Sequence, residues 1–122
     1  MKLKHLPGTY SILKLNPTDS IPSSVLNSTF FSVTKTDEEL SIVCESQVAP
    51  QSENVEGNWR LLKILGPLDF SLTGILSSIA RPLAEEKISI FALSTFDTDY
   101  VMVKEDKVEM AIISLQKAGF EF

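Results

Sequence analysis

Residues 59–83 read Trp59-Arg60-Leu61-Leu62-Lys63-Ile64-Leu65-Gly66-Pro67-Leu68-Asp69-Phe70-Ser71-Leu72-Thr73-Gly74-Ile75-Leu76-Ser77-Ser78-Ile79-Ala80-Arg81-Pro82-Leu83. The first seven make a strand, which Gly66-Pro67 ends. Leu72, Ile75, Leu76, Ile79 and Leu83 then fall at 0, +3, +4, +7 and +11, which is one helical face. Asp69 or Ser71 is placed to cap that helix through a side-chain oxygen. Pro82 lies inside the pattern. It has no N–H for the carbonyl four residues back, and its ring crowds that carbonyl, so a kink or a weak last turn is expected.

Downstream, Ile88 to Ser94 is a strand with Ile88, Ile90 and Ala92 on one face and Phe91 and Leu93 on the other. Tyr100 to Val103 is another, apolar on both faces. Thr95-Phe96-Asp97-Thr98-Asp99 joins the two. Val108, Ala111, Ile112 and Leu115 give a second helical face, with Glu105 and Asp106 suited to its start and Gly119 to its end. Phe120-Glu121-Phe122 is expected to add a last strand. The order β-α-β-β-α-β is the ferredoxin-like arrangement, two helices on one face of an antiparallel sheet.

Upstream, Thr9–Leu15, residues 30–34 and Leu40–Glu45 read as strands. Residues 20–26 suit one or two helical turns, with Ser20 as cap and Pro22 in the first turn. Residues 46–58 are polar and aperiodic and read as the connection between two halves. The expected class is therefore α+β, with a reduced ferredoxin-like subdomain at 1–56 and a complete one at 57–122. One such unit leaves a sheet face bare, so packing against a second unit is expected.

The 122 residues are 43% hydrophobic and 22% charged, ordinary globular usage that argues against disorder. The net charge is −5, with four basic and seven acidic residues in 1–56 and seven and nine in 57–122. An acidic chain with dispersed basic residues is not expected to bind nucleic acid. The chain holds one Cys and one His, which excludes an intrachain disulfide and disfavours zinc chemistry. No segment approaches the ~20 apolar residues of a membrane span, and residues 1–8 do not read as a secretory signal. A cytoplasmic protein with no membrane association, metal or cofactor is expected.

Catalytic constellations are poorly supplied. Cys44 ends an apolar strand, and a buried inert thiol is the expected reading, since His5 is placed in a terminus expected to be mobile. Asp97 and Asp99 would point the same way on an extended chain, which suits an acid/base pair or a magnesium site, but turn chemistry is the preferred reading. Residues 66–74 lack the spacing and the Lys-Ser/Thr ending of a phosphate loop.

The stretch Trp59–Gly119 resembles an ACT domain of the small CASTOR-like type. The resemblance is carried by Gly66 to Gly74 and by Ile88 to Tyr100, and Phe31 to Cys44 is similar to the N-terminal part of such proteins. It implies tandem ACT-like units that sense small molecules, typically amino acids, with ligand held between units. Animal members are cytosolic arginine sensors that release a partner complex on binding ligand. This chain is expected to have half their length, so that a homodimer supplies the interface. Carried over by motif, the ligand-binding residues are Asp69, Phe70, Ser71, Leu72, Thr73 and Gly74 in the first loop, and Thr95, Phe96 and Asp99 in the second segment. The N–H groups of residues 71–74 would hold a carboxylate and Asp99 a cationic group. The expected function is a non-enzymatic amino-acid sensor. The alternative is a dimerisation or protein-interaction module with a vestigial site.

Overall fold

Leu3 lies opposite Ile64 and His5 opposite Leu62 in an antiparallel pair, which stitches the start of the chain to its middle. The computed structural model describes residues 1–122 except Pro67 and Phe70. In chain order its elements are β1 (Leu3–His5), β2 (Tyr10–Leu15), β3 (Phe31–Lys35), β4 (Leu40–Glu45), β5 (Asn54–Ile64), α1 (Ile75–Glu85), β6 (Ile90–Ser94), β7 (Asp99–Lys104) and α2 (Val108–Lys117). Short 3-10 turns occupy Ser23–Asn27, Ser46–Val48 and Glu105–Lys107.

The chain forms two compact units. One is Met1–Pro7 with Arg60–Phe122, and the other is Gly8–Trp59. The expected division at 56/57 falls inside β5, and it leaves the first seven residues on the other side. Two local properties account for the difference. Asn54 to Asn58 is exposed or half-buried and has Val55 as its one apolar side chain besides Gly57, so it carries no strand period, yet it pairs with β2. β1 has a single buried residue, Leu3, among Lys4 and His5.

In the first unit the strands lie in the order β1-β5-β7-β6. Alternate residues of these strands, Leu3, Leu62, Ile64, Val101 and Val103, join Ile79 and Leu83 of α1 and Val108, Ala111 and Leu115 of α2 in one core. Period 2 on the strands and period 3.6 on the helices meet at this face, so both helices cover the same side of the sheet. β1 fills the edge place expected for Phe120-Glu121-Phe122. The tail instead makes one parallel bridge, Glu121 with Lys2, and sends Phe120 and Phe122 into the core. His5 accordingly sits on a strand and is half-buried, rather than in a mobile terminus.

α1 continues through Pro82 to Glu85. Lys87 then takes a left-handed conformation (φ 58°), and the Ile88 N–H closes the helix end on the Leu83 carbonyl at 2.9 Å.

In the second unit the order is β3-β4-β2-β5 with every pair antiparallel. Leu13, Val25, Leu40, Ile42 and Cys44 form its core. Val25 enters from the 3-10 turn, which begins after Pro22 with no side-chain cap, so Ser20 does not cap it. The Glu45 carboxylate secures the chain leaving that turn by accepting from the Thr29 N–H at 2.7 Å and from the Ser28 hydroxyl at 3.1 Å. Register slips by one residue between Tyr10↔Trp59 and Ile12↔Glu56. Asn58, at φ 63°, absorbs the extra residue as a bulge.

Candidate functional site

The β6–β7 hairpin turns through Thr95-Phe96-Asp97-Thr98. Both chain directions are tied at its neck, because the Thr95 N–H donates to the Thr98 carbonyl at 2.8 Å and the Thr98 N–H to Thr95 Oγ1 at 3.2 Å. The Thr98 hydroxyl points inward and donates to the Ile64 carbonyl at 2.6 Å. The Leu68 N–H donates to the Asp97 carbonyl at 2.7 Å, which fixes the segment after β5 against the hairpin tip.

These ties leave a cavity of about 290 Å³ between the 68–76 segment and the hairpin. Leu68, Asp69, Leu72 and Gly74 line one side, with Ile75 and Leu76 from the start of α1. Residues 94–99 line the other. Of the expected ligand residues, Asp69, Leu72, Gly74, Thr95, Phe96 and Asp99 are brought together here. Ser71 and Thr73 are exposed and are not part of the lining. Phe70 lies outside the described residues.

Asp69 does not cap α1. Its Oδ1 accepts from the Ser71 N–H and the Ser71 hydroxyl, each at 2.8 Å. Its carbonyl accepts from the Leu72 N–H at 3.0 Å. This is a local Asx turn. The Ser71 N–H and hydroxyl hold the Asp69 carboxyl below the usual carboxylate range. The helix starts only at Ile75, after Gly74 in the left-handed region (φ 75°), with no side-chain cap. Leu72, 53% exposed, precedes it. The donors offered to the cavity therefore shift along the chain. Ser71 and Leu72 have already given their N–H groups to Asp69, whereas Ile75, Leu76 and Ser77 open the helix and have no intrahelical partner.

Across the cavity, Asp99 Oδ1 accepts from the Ser94 hydroxyl at 2.6 Å, and the two residues are register partners. Asp97 sits in the turn and Asp99 on β7, so the two carboxylates do not share one extended segment. Three acidic residues, Asp69, Asp97 and Asp99, line the cavity, and no Lys, Arg or His lines it among the described residues. No group of three His, Cys, Asp or Glu among the described residues is placed to hold a metal ion. The wall is partly apolar, with Phe96 80% exposed at the tip. Ser94 and Thr98 were absent from the expected set. A four-residue turn over 95–98 sets residue 94 opposite 99, and this is the signal that finds Ser94.

Elsewhere, Cys44 is fully buried, and burial followed by the neighbouring Glu45 charge pushes its thiol up. His5 is held below its ordinary value by burial and by the Arg60 charge.

A family model described as the ACT domain matches residues 54–117. The chain belongs to the ACT domain family. A second model, for an N-terminal domain, matches residues 8–52. The human cytosolic arginine sensor for mTORC1 subunit 1 is 34% identical over 104 residues, which are 79% of this chain and 31% of that protein. This ACT chain thus spans about a third of that relative's length, not the expected half. A solved protein from Agobacterium tumefaciens is 40% identical, with a TM-score of 0.91 over 98% of this chain and 90% of that one. The regulatory subunit of aspartate kinase from Thermus thermophilus shares the ACT fold at 9% identity, with a TM-score of 0.64 over 96% and 94% of the two chains. Among the described residues, no helix is long and apolar enough to cross a membrane.

Proposed function

We propose that this ACT protein is a non-enzymatic, cytoplasmic amino-acid sensor that takes its ligand in the cavity between residues 68–76 and the β6–β7 hairpin. The three-carboxylate lining carries the reading. An amino acid needs donors for its carboxylate, acceptors for its ammonium group and a shaped wall for its side chain. The N–H groups at the start of α1, which have no partner within the helix, suit the carboxylate, with the helix dipole in the same sense. Asp99 and Asp97 suit cationic groups, and Phe96 and Leu72 supply wall. An excess of acidic over basic lining favours a ligand with a cationic side chain. The family and the arginine-sensing human relative support a regulatory role of this kind.

The Gly8–Trp59 unit is a reduced ACT-like unit in this reading. Its order β3-β4-β2-β5 repeats the order β6-β7-β5-β1, with 3-10 turns where the other unit has helices. The active form is a homodimer that regulates a protein partner.

One observation favours the second reading, a dimerisation module with a vestigial site. Two of the three carboxylates already accept hydrogen bonds from their own neighbours, Ser71 and Ser94. Titration calorimetry with arginine, lysine, leucine and glutamate separates the two. Sensing predicts heat with the cationic pair and its loss in Asp99→Ala. No heat from any of the four, with a folded protein, defeats it.

A further inference from the structure

Lys4 on β1 and Lys63 on β5 are register partners, so two like charges stand directly opposite each other on one face of the sheet. Such a pair is destabilising in an antiparallel sheet. The face is the one turned away from the helices, because Leu3, Leu62 and Ile64, the neighbours of the two lysines along their strands, enter the helix-covered core. Lys2, two residues before Lys4, falls on the same face. Lys2 and Lys4 are exposed and Lys63 is half-buried. Among the described residues the side-chain ion pair is Arg60 with Glu105, and it involves none of these three lysines. Glu121 bridges Lys2 through the main chain but makes no ion pair with it. Basic residues that are dispersed along the sequence are thus gathered by the fold.

The row continues across the sheet with apolar groups. Lys63 Nζ lies 6.0 Å from the centre of the Tyr100 ring on β7. Tyr100 is in register with Leu93 on β6. Lys4, Lys63, Tyr100 and Leu93 therefore form one band across β1, β5, β7 and β6, cationic at one end and apolar at the other. Strands about 4.8 Å apart make the band roughly 14 Å long, the span of about four extended residues. Leu65, 37% exposed, flanks it beside Lys2, whose carbonyl accepts from the Leu65 N–H at 2.9 Å. We infer that this band docks an acidic segment of a protein partner, with carboxylates on Lys2, Lys4 and Lys63 and a large apolar side chain on Tyr100 and Leu93. Charge complementarity decides the occupant. A carboxylate between Lys4 and Lys63 turns their mutual repulsion into two attractions. A nucleic acid fits less well, because the chain as a whole carries −5 and repels a long polyanion. A free phosphate leaves the Tyr100–Leu93 half of the band unused.

The band and the candidate cavity share strands. Asp99 lines the cavity, and the next residue, Tyr100, turns to the opposite face. Ile64 accepts the Thr98 hydroxyl from the hairpin, and Lys63 precedes it on β5. A partner on one face thus lies one residue along the strand from a ligand on the other, which lets the two binding events couple reciprocally. The surface so assigned rests on the protein partner of the proposed function, and its test is made without amino acid.

The probe is a fluorescein-labelled peptide of three glutamates followed by leucine and phenylalanine, titrated with the full chain and read by fluorescence polarisation. It should bind, more weakly as salt rises. Binding should be about tenfold weaker in Lys4→Glu and in Lys63→Glu. Lys4→Glu should at the same time raise the thermal midpoint, because a like-charged cross-strand pair becomes an oppositely charged one. A merely structural role for Lys4 predicts the reverse. A peptide with lysines in place of the glutamates should not bind. Failure of the acidic peptide to bind the folded chain overturns the inference, and so does equal affinity in both substituted chains. A single-stranded oligonucleotide that binds more tightly than the peptide overturns the choice of occupant. A lower molar mass in Lys4→Glu than in the natural chain would give the surface to a second copy and overturn it as well. Peptide binding by a chain that takes no amino acid leaves this surface standing and removes the sensing reading alone.

Discussion

The hydroxyl of Thr98, in the β6–β7 turn, donates to the main-chain carbonyl of Ile64, the last residue of β5, at 2.6 Å. Thr98 is 5% exposed and Ile64 fully buried, so the bond is sealed from water. Thr98→Val keeps the shape and removes the donor. The expected cost is about 1–2 kcal/mol, since a buried carbonyl loses a partner. Urea unfolding at neutral pH measures it, and an unchanged midpoint would show that water replaces the hydroxyl.

Gly74 opens α1 at φ 75°, and a Cβ there would meet only Ser77 Oγ at 3.8 Å. Space is therefore available, and the penalty of Gly74→Ala is conformational, about 1 kcal/mol for a left-handed non-glycine residue. The same change tilts the first helical N–H groups. Sensing requires that affinity for the cationic ligand fall together with stability. Lost stability with intact affinity would place the ligand carboxylate elsewhere.

Asp99→Asn preserves the size of the side chain and its bond from Ser94 while deleting the charge. Binding of arginine or lysine should weaken at least tenfold, about 1.4 kcal/mol. Calorimetry at two salt concentrations checks the electrostatic origin, because the loss should shrink as salt rises. Equal affinities for the natural chain and the Asp99→Asn variant would remove Asp99 from the site.

His5 introduces a pH dependence. Burial first, and the Arg60 guanidinium second, keep its folded value below the ordinary 6.5. The unfolded chain thus takes up the proton more readily. Its contribution is complete above about pH 6.5 and is lost as pH falls from there toward the folded value. Glu45 acts in the same direction further down. The Thr29 N–H and the Ser28 and Thr29 hydroxyls hold it below its ordinary 4.5, and that stability is lost as pH falls through the folded value. The thermal midpoint of the natural chain relative to His5→Gln should be constant above about pH 6.5 and should fall as pH drops below it. Parallel curves would contradict the assignment.

Cys44 is sealed in the core of the second unit and its thiol is pushed up. A thiol reagent should leave the native protein unlabelled and take one equivalent in denaturant. Rapid native labelling would mean that Gly8–Trp59 opens readily.

Both helices were legible in the sequence because their buried residues recur at helical spacing: Ile75, Leu76, Ile79 and Leu83 in α1, and Val108, Ala111 and Leu115 in α2. Leu40–Glu45 was legible as a bounded apolar run. The start of α1 was not. Leu72 extends the apolar period backwards, but Gly74 in a left-handed conformation breaks the helix between them. Asp69 has the chemistry of a cap and uses it two residues away on Ser71, because turn and cap draw on the same side-chain oxygen. Of the candidate site, the two segments were legible from motif resemblance. The bonds that join them were not, since they are long-range: Leu68 N–H to the Asp97 carbonyl and the Thr98 hydroxyl to the Ile64 carbonyl.

β1 was illegible for a reason that also governs how the molecule is made. Its partners, Leu62 to Ile64, are encoded about sixty codons later. At roughly 5–20 residues per second, a ribosome leaves Leu3 without its neighbour for about 3–12 s. Throughout that interval the whole of Gly8–Trp59 can emerge and close on itself, while the unit that flanks it on both sides cannot. The inserted unit is therefore expected to fold first, and Lys2 and Glu121 should be among the last residues to meet.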